Sequence, residues 1–295
     1  RNMFLNTYLE RFIMSPTIIN HEQSEYWNKK YGHKWVDNDN SMNERLTILT
    51  KALFLKTNIE KGDKVLDIGC GGGQTSFEAS QLVGENGYVL GADISNLLLD
   101  LAKSKYSKIK NLDFKNCDAE NFNFEKNNFS KVISRFGVMF FKNPINAFQN
   151  INKSIKNGGS LNFVCWTNMM ENEFHTAATN IILRHINKEY PKLTRDPGPF
   201  AFNDKEYIQE ILNNSGFKNI KVEETYTSIS TQDTVKKDAE LLLNLGMGAR
   251  LLAEEDLSDD KLLSIKKEIE AMSKKRQKNG KISYKACLNY VSATK

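Results

Sequence analysis

A glycine-rich turn between two short apolar segments has the clearest chemical meaning in this sequence. Residues 64–73 are Lys-Val-Leu-Asp-Ile-Gly-Cys-Gly-Gly-Gly, and Asp93 follows twenty residues later. The apolar run 65–68 is typical of a buried parallel strand, and the glycines let the backbone turn tightly and approach a ligand. The segment 74–83 is predicted to be a helix, and a second strand is predicted to end at Asp93. This arrangement predicts one nucleoside-binding half of a doubly wound fold.

The spacing of the glycines indicates which nucleoside is bound. The dinucleotide fingerprint is G-x-G-x-x-G, and the helix that follows it faces a pyrophosphate. Here Asp67, Gly69, Gly71 and Gly73 stand at alternate positions, so the motif is one residue shorter and begins with an acid that repels phosphate. An acid at this place suits a ligand with a cationic amino acid part. S-adenosylmethionine (SAM) is such a ligand, because it carries an ammonium, a sulfonium and a ribose.

Five motifs in order resemble those of class I SAM-dependent methyltransferases. They are the glycine motif at 65–73, an acidic second motif at 91–95, a third motif at 116–120, the fourth strand and the residues after it at 132–141, and a glycine turn at 155–159. In that last turn Asn157 stands where the family often has Pro. The stretches 134–141, 163–166 and 197–202 are similar to a bacterial subgroup of small-molecule methyltransferases, like those of ubiquinone and menaquinone biosynthesis. The resemblance covers most of the chain. It implies an α/β, Rossmann-like, doubly wound sheet of seven strands with helical insertions.

The resemblance also implies how SAM is bound. Asp93 would accept hydrogen bonds from both ribose hydroxyls, and Asp67 would lie below the methionine end. Asp118 would accept the adenine amine while the Ala119 amide donates to a ring nitrogen. Family members offer backbone carbonyls to the SAM ammonium at the end of the fourth strand. The predicted cofactor-binding residues are Trp35, Arg45, Asp67, Gly69, Gly71, Gln74, Asp93, Ile94, Leu98, Asp118, Ala119, Glu120 and Ser134.

Aromatic residues are dense ahead of the glycine motif. Tyr26, Trp27 and Trp35 would serve as a lid over SAM, since an aromatic face attracts a sulfonium by cation–π interaction. The same residues also fit the apolar stripe of a packed helix. Arg45, on the following helix, either binds the methionine carboxylate bidentately or is a surface arginine.

The implied reaction is an in-line displacement at the SAM methyl carbon, which depends mainly on alignment. A general base is needed only for an acceptor that is protonated at neutral pH. His175 is the best candidate for that base, although a partly exposed helix histidine is the alternative. Arg135 is the second candidate catalytic residue, as the partner of a substrate carboxylate. The residues predicted to shape an apolar acceptor pocket are Tyr26, Trp27, Phe136, Met139, Trp166, Phe174 and Phe200.

The composition restricts the partners. A formal net charge of +5 on 295 residues is too small to indicate a nucleic-acid partner. The sequence has no apolar run of membrane-spanning length and no cysteine spacing typical of metal sites. The fourth strand is not followed by the Asn-Pro-Pro-Tyr-type motif of enzymes that methylate nucleic-acid bases. We therefore expect a cytoplasmic enzyme without a metal, acting on a small molecule as a monomer or homodimer.

Two further functions stay open at the level of sequence. One is an NAD(P)-dependent oxidoreductase, and the other is a SAM-binding protein without catalysis. The predicted organisation is an N-terminal helical segment or lid over 1–58 and a methyltransferase domain over 59–295. Within that domain, 167–202 and 233–277 should cover the substrate, the latter as two helices inserted in an antiparallel edge hairpin. Residues 1–13 are interpreted as a leader or an expression remnant.

Overall fold

The computed structural model describes residues 18–295, except for the side chain of Lys30. The expectation for residues 1–13 lies outside the described part of the chain. Within the described part no helix is both long and apolar enough to cross a membrane. The eight strands are β1 Lys64–Ile68, β2 Tyr88–Asp93, β3 Leu112–Asn116, β4 Phe129–Arg135, β5 Ile155–Trp166, β6 Lys218–Thr231, β7 Gln277–Lys278 and β8 Lys281–Thr294.

The strands form one sheet in the order β3-β2-β1-β4-β5-β8-β6, with β7 paired to β8. The first five strands are parallel, and β8 runs antiparallel between β5 and β6. The predicted doubly wound α/β fold with an antiparallel edge is confirmed. The predicted count of seven strands is corrected to eight by the two-residue strand β7.

Eleven α-helices lie within the described residues, and several begin at the caps that their sequences suggest. Ser95 and Asn143 accept hydrogen bonds from the first turns of their helices, and Pro144 occupies the first position of the sixth. The helices are α1 His21–Glu25, α2 Gly32–Asp37, α3 Asp39–Thr57, α4 Gln74–Val83, α5 Asn96–Tyr106, α6 Pro144–Ser154, α7 Glu173–Ile186, α8 Lys205–Asn214, α9 Val235–Asn244, α10 Met247–Leu252 and α11 Asp259–Arg276.

The segment 233–277 departs from the prediction of two helices, because it contains α9, α10 and α11. Gly246, with φ +94°, separates α9 from the short helix α10. This conformation is open to glycine but rare for other residues, so the chain turns here instead of continuing one helix. The turn brings α10 against α7.

The N-terminal helices pack against α5 and against the sheet from β4 to β6. A π-helical turn over Tyr26–Lys30 joins α1 to α2, and α3 contacts β4, β5 and β6. β1 is buried on both faces, where Val65 and Leu66 are fully buried, and it lies at the centre of the core. The carboxyl ends of the parallel strands are thereby left facing the N-terminal helices and α7.

Candidate active site

A cavity of about 260 Å³ lies at the carboxyl ends of the parallel strands. Its walls come from the glycine turn after β1, the ends of β2, β4 and β5, the N-terminal helices, α7 and the α9–α10 turn. Eighteen of the predicted site residues line it: Tyr26, Trp27, Trp35, Gly69, Gly71, Gln74, Asp93, Ile94, Leu98, Asp118, Ala119, Arg135, Phe136, Met139, Trp166, Phe174, His175 and Phe200. Four others, Arg45, Asp67, Glu120 and Ser134, are not part of its lining.

The glycine turn forms the floor of the cavity. Gly69 and Gly71 have φ angles of +68° and +54°, a region that favours glycine. A Cβ on Gly71 would meet no atom within 4 Å, whereas a Cβ on Gly69 would lie 2.6 Å from the Gly137 Cα. Gly69 is therefore required for close packing against the loop after β4. At Gly71 the backbone borders open space, as expected where it must approach a ligand.

Asp93 lies at the end of β2 with both carboxylate oxygens held by backbone amides. The Gly71 amide donates to Oδ2 at 2.8 Å, and the Ser95 amide donates to Oδ1 at 2.8 Å. Burial raises the pKa of Asp93, and these amides oppose the rise. A carboxylate has about four lone-pair sites, so acceptor capacity remains on both oxygens. The side chain is thus held rigidly with capacity for two further donors.

Asp118 fastens the N-terminal segment over the cavity. Its Oδ2 accepts hydrogen bonds from the Ile19 and Asn20 amides at 3.2 and 2.9 Å, and its Oδ1 accepts one from the Glu120 amide. The sequence analysis predicted that Asp118 accepts a hydrogen bond from the adenine amine. In the structure Asp118 holds the N-terminal segment in place. Its Oδ2 already accepts two hydrogen bonds, so further acceptor capacity is left on Oδ1 alone.

Asp67 and Ser134 lie below the cavity floor. The Ser76 hydroxyl donates to Asp67 Oδ2 at 2.7 Å, and Asp67 Oδ1 has no partner among the described residues. Burial raises the pKa of Asp67 to about 7. The Ser134 hydroxyl donates to the Ile68 carbonyl at 2.7 Å and accepts from the Gly137 amide at 3.1 Å, so it ties the ends of β1 and β4 together.

Arg45 requires a correction, because it does not reach the cavity. Its side chain is fully buried and forms ion pairs with Asp238 at 2.7 Å and Asp233 at 3.1 Å. The Tyr284 hydroxyl donates to the other oxygen of Asp238. Arg45 therefore binds α3 to the start of the inserted helices. Sequence spacing could not reveal this, since the partners are about 190 residues away.

Glu120 is likewise not part of the cavity lining. Its Oε2 accepts a hydrogen bond from the Asn143 amide at 3.1 Å, and its Oε1 accepts one from the Lys142 amide. It thus holds the loop that leads into α6. The motif that suggested a cofactor role for Asp118 also contains Glu120, and both side chains accept hydrogen bonds from Asn20.

Arg135 is a cavity-lining cation with neutral partners. It donates to Thr50 Oγ1 at 2.8 Å and to Asn43 Oδ1 at 2.7 Å, both on α3. No carboxylate of residues 18–295 lies within 4.0 Å of it in an ion pair. Burial lowers its pKa, and the negative charge of Asp67 opposes that effect. A half-buried guanidinium without a direct carboxylate partner can bind an anionic group.

His175 lies in an aromatic box on α7. Its ring packs edge-on against Trp166 at 4.5 Å and Phe200 at 4.9 Å between ring centres, and Phe174 lies at 5.4 Å. Its Nε2 is buried and lacks a hydrogen-bond partner within the described chain. Burial lowers the pKa of His175 from 6.5 to about 4. The imidazole is therefore neutral at pH 7, with a free nitrogen at the cavity wall.

Phe136 has a backbone conformation that is unusual for a bulky residue. Its φ is +66°, and its ring stacks on Trp166 at 4.5 Å with 7° between the planes. Non-glycine residues in this region carry strain that only a well-packed surrounding maintains, and such residues concentrate at functional sites. The strain turns the ring into the cavity. Across the cavity, Trp27 packs edge-on against Trp35 and Phe140.

Part of the lining was not predicted from the sequence. The α9–α10 turn closes one side with Leu242, Leu245, Met247 and Arg250, and α3 contributes Asn43. The only signal for the first group was the expectation that 233–277 covers the substrate. Nothing in the local pattern distinguishes these residues from those of an ordinary amphipathic helix.

Comparison with known proteins agrees with this geometry. Residues 59–216, more than half of the chain, match the model of a family described as a methyltransferase domain. The chain belongs to this family. The prediction of a class I SAM-dependent methyltransferase is confirmed, and the oxidoreductase interpretation is set aside.

Sequence relatives are demethylmenaquinone methyltransferases of staphylococci. The chain is 28% identical to that of Staphylococcus saprophyticus over 182 residues, which cover 58% of this chain and 77% of the relative. It is 25% identical to that of Staphylococcus aureus over 214 residues, which cover 66% of this chain and 88% of the relative.

Solved structures share the fold. Phosphoethanolamine N-methyltransferase 2 of Haemonchus contortus, in complex with SAM, is 20% identical with a TM-score of 0.52, over 84% of this chain and 52% of that one. The YcgJ protein of Bacillus subtilis is 16% identical with a TM-score of 0.52, over 85% of this chain and 97% of that one. At these identities the likeness concerns the fold alone.

Proposed function

We propose that the protein transfers the methyl group of SAM to a small, largely apolar acceptor inside the cavity. The observation that carries the proposal is the continuity of that cavity. The glycine turn and Asp93 line one part of it, and the aromatic box around His175 lines another. This continuous lining would place a methyl donor and an acceptor side by side, with a neutral imidazole beside the acceptor.

We assign the adenosine part of SAM to the end of β2. Both oxygens of Asp93 retain acceptor capacity for the ribose hydroxyls, and Ile94 and Leu98 offer an apolar surface for the adenine face. Asp118 Oδ1 and the Ala119 amide are the proposed partners of the adenine edge. Asp67, beneath the turn, acts on the methionine end through the backbone.

The methionine carboxylate is assigned to Arg135 instead of Arg45. Arg135 ends β4 beside the glycine turn and holds only the neutral groups of Asn43 and Thr50. A carboxylate would supply the direct ion-pair partner that this cation lacks among residues 18–295. Bidentate binding by a guanidinium also fixes orientation, and orientation contributes roughly 7–11 kcal/mol to lowering a barrier in well-aligned reactions.

His175 is the proposed base for an acceptor that must lose a proton. When bound, SAM supplies an electrophilic methyl carbon on a sulfonium leaving group. The His175 Nε2 would accept the proton that the acceptor atom releases as its new bond to carbon forms. The aromatic box keeps the imidazole neutral at pH 7, and in the tautomer protonated at Nδ1 the Nε2 atom carries the lone pair.

The covering segments are proposed to complete the acceptor site. Phe174 and Phe200, from the segment 167–202, and Met247, from 233–277, all line the cavity. The helices of residues 18–58 cover the cofactor side with Tyr26 and Trp27. The staphylococcal relatives are named for demethylmenaquinone, a small molecule, which supports a small-molecule acceptor here.

Calorimetric titration with SAM, S-adenosylhomocysteine (SAH) and NADH tests the cofactor assignment. We expect binding of SAM and SAH and none of NADH. Asp93→Ala should abolish SAH binding while the circular dichroism spectrum is retained. Asp113→Ala is the matched control, because Asp113 is exposed on the neighbouring strand and does not line the cavity. Unchanged SAH affinity in Asp93→Ala would contradict the ribose assignment.

Turnover with an acceptor found by screening tests the base. His175→Gln should lower methyl transfer more than it lowers SAH affinity, because His175 belongs to the acceptor side of the cavity. Equal turnover in wild type and variant would assign His175 to packing alone.

A further inference from the structure

The pairing of the arginines separates two of them from the rest. Residues 18–295 contain six arginines. Four form ion pairs with carboxylates: Arg45 with Asp233 and Asp238, Arg184 with Glu268, Arg195 with Asp204, and Arg276 with Glu173. Arg135 and Arg250 form no such ion pair within the described chain, and both line the cavity. Arg135 is assigned to the cofactor, so Arg250 is left without an anionic partner.

Arg250 stands at the mouth of the cavity beside two stacked tyrosines. It is exposed on α10, while the rings of Tyr26 and Tyr31 stack at 4.2 Å with 19° between their planes. The positive charge of Arg250 opposes the rise that burial causes in the pKa of Tyr26. Arg250, Tyr26 and Tyr31 all line the cavity, so a cation and a phenol are both available to a ligand there.

The helix that carries Arg250 is held firmly in place. The Gly248 amide donates to Thr179 Oγ1 at 3.1 Å, and a Cβ on Gly248 would lie 2.8 Å from the Ile182 Cδ1. This close contact positions α10 against α7, the helix that bears His175. The distance between the guanidinium end and the base end of the cavity is thereby set by packed helices and not by a free loop.

The wall between these two ends is apolar. Its side chains come from the α9–α10 turn and from the aromatic box: Leu242, Leu245, Met247, Trp166, Phe174 and Phe200. An acceptor that extends from the mouth to His175 must therefore have an apolar body, and its polar end would meet Arg250.

We propose that the methyl acceptor is an apolar molecule with an anionic group, such as a carboxylate, and that Arg250 with Tyr26 binds this group at the cavity mouth. The inference rests on the proposed function and specifies its substrate class. Arg250 would be a specificity-determining residue, since a neutral analogue of the same shape would lose one charge-assisted hydrogen-bonded contact.

A pair of dyes that differ in one anionic group tests the proposal. The probes are 8-anilinonaphthalene-1-sulfonate and N-phenyl-1-naphthylamine, which has the same rings without the sulfonate. All three tryptophans of the chain, Trp27, Trp35 and Trp166, line the cavity, so energy transfer from tryptophan reports a dye bound there. The titrations use the full chain saturated with SAH.

Arg250→Gln should weaken binding of the sulfonate dye about fivefold to tenfold, the range of one charged hydrogen-bonded contact at a partly exposed site. Binding of the neutral dye should change less than about twofold. Arg195→Gln is the matched control, because Arg195 is also exposed beside a tyrosine ring, 4.0 Å from that of Tyr207, but does not line the cavity. This control should leave the affinities of both dyes unchanged.

Three results would overturn the inference: equal sulfonate-dye affinity in wild type and Arg250→Gln, an equal loss for both dyes, or the same loss in Arg195→Gln. Calorimetry with SAH on the same proteins separates this failure from failure of the proposed function. If wild type binds SAH and the dyes do not discriminate, only the substrate class is wrong. If wild type binds neither SAM nor SAH, the proposed function itself fails.

Discussion

The buried imidazole of His175 predicts how the stability of this protein depends on pH. Burial lowers its pKa from 6.5 to about 4, because the aromatic rings around it offer no solvation for a cation. In the unfolded chain the same residue is protonated below about pH 6.5. Between these two values the unfolded chain binds one more proton at this residue than the native protein does.

The free energy of unfolding must therefore fall as the pH is lowered through this window. Each pH unit corresponds to about 1.4 kcal/mol, so a shift of about 2.5 units gives about 3 kcal/mol. This contribution of His175 is fully present above about pH 6.5 and is lost on acidification to about pH 4.

Urea denaturation followed by circular dichroism, at several pH values from 4.5 to 7.5, measures the effect. His175→Gln and His175→Phe both remove the titrating group but differ in packing. The slope of unfolding free energy against pH between 5 and 6 should be smaller in both variants than in wild type, by about 1.4 kcal/mol per pH unit. Parallel slopes in all three proteins would refute the argument, whatever their stabilities at pH 7.5.

Three other substitutions test the positions that organise the site. Arg45→Met should lower the unfolding free energy by about 3–5 kcal/mol, since it leaves the buried carboxylate of Asp238 without its cation. Denaturant titration measures this, and a loss of less than about 1 kcal/mol would contradict it. Phe136→Gly should be more stable than Phe136→Ala by about 1 kcal/mol, because glycine alone relieves the φ of +66°, and thermal melts showing the usual reverse order would argue against strain. Burial raises the pKa of Asp67 to about 7, so the native protein retains this proton to higher pH than the unfolded chain does, and the unfolding free energy of wild type should fall as the pH rises from about 4 to about 7. Asp67→Asn should remove this fall. Denaturation curves at pH 5 and pH 8 measure it, and an equal change of unfolding free energy in both proteins would count against it.

The sequence was most informative where function depends on backbone conformation. The alternate glycines after β1 and the acid at the end of β2 could be located from residue types alone, because only glycine tolerates positive φ at low cost and because parallel strands bring their ends to one edge. Phe136, Met139 and Trp166 were also recognisable, since they belong to motifs at the ends of strands. Glu120 lies in such a motif too, yet it serves a loop, because a motif does not determine the direction of every side chain in it.

Long-range pairing was decided by the tertiary structure. Arg45 and Arg135 look equivalent as sequence candidates, but two aspartates about 190 residues away neutralise Arg45 within the core and leave Arg135 facing the cavity. The roles of Met247 and Arg250 likewise depend on how α10 packs against α7. Local sequence determines backbone preferences, strand ends and helix caps, whereas the availability of a charge depends on which distant residues the fold places beside it.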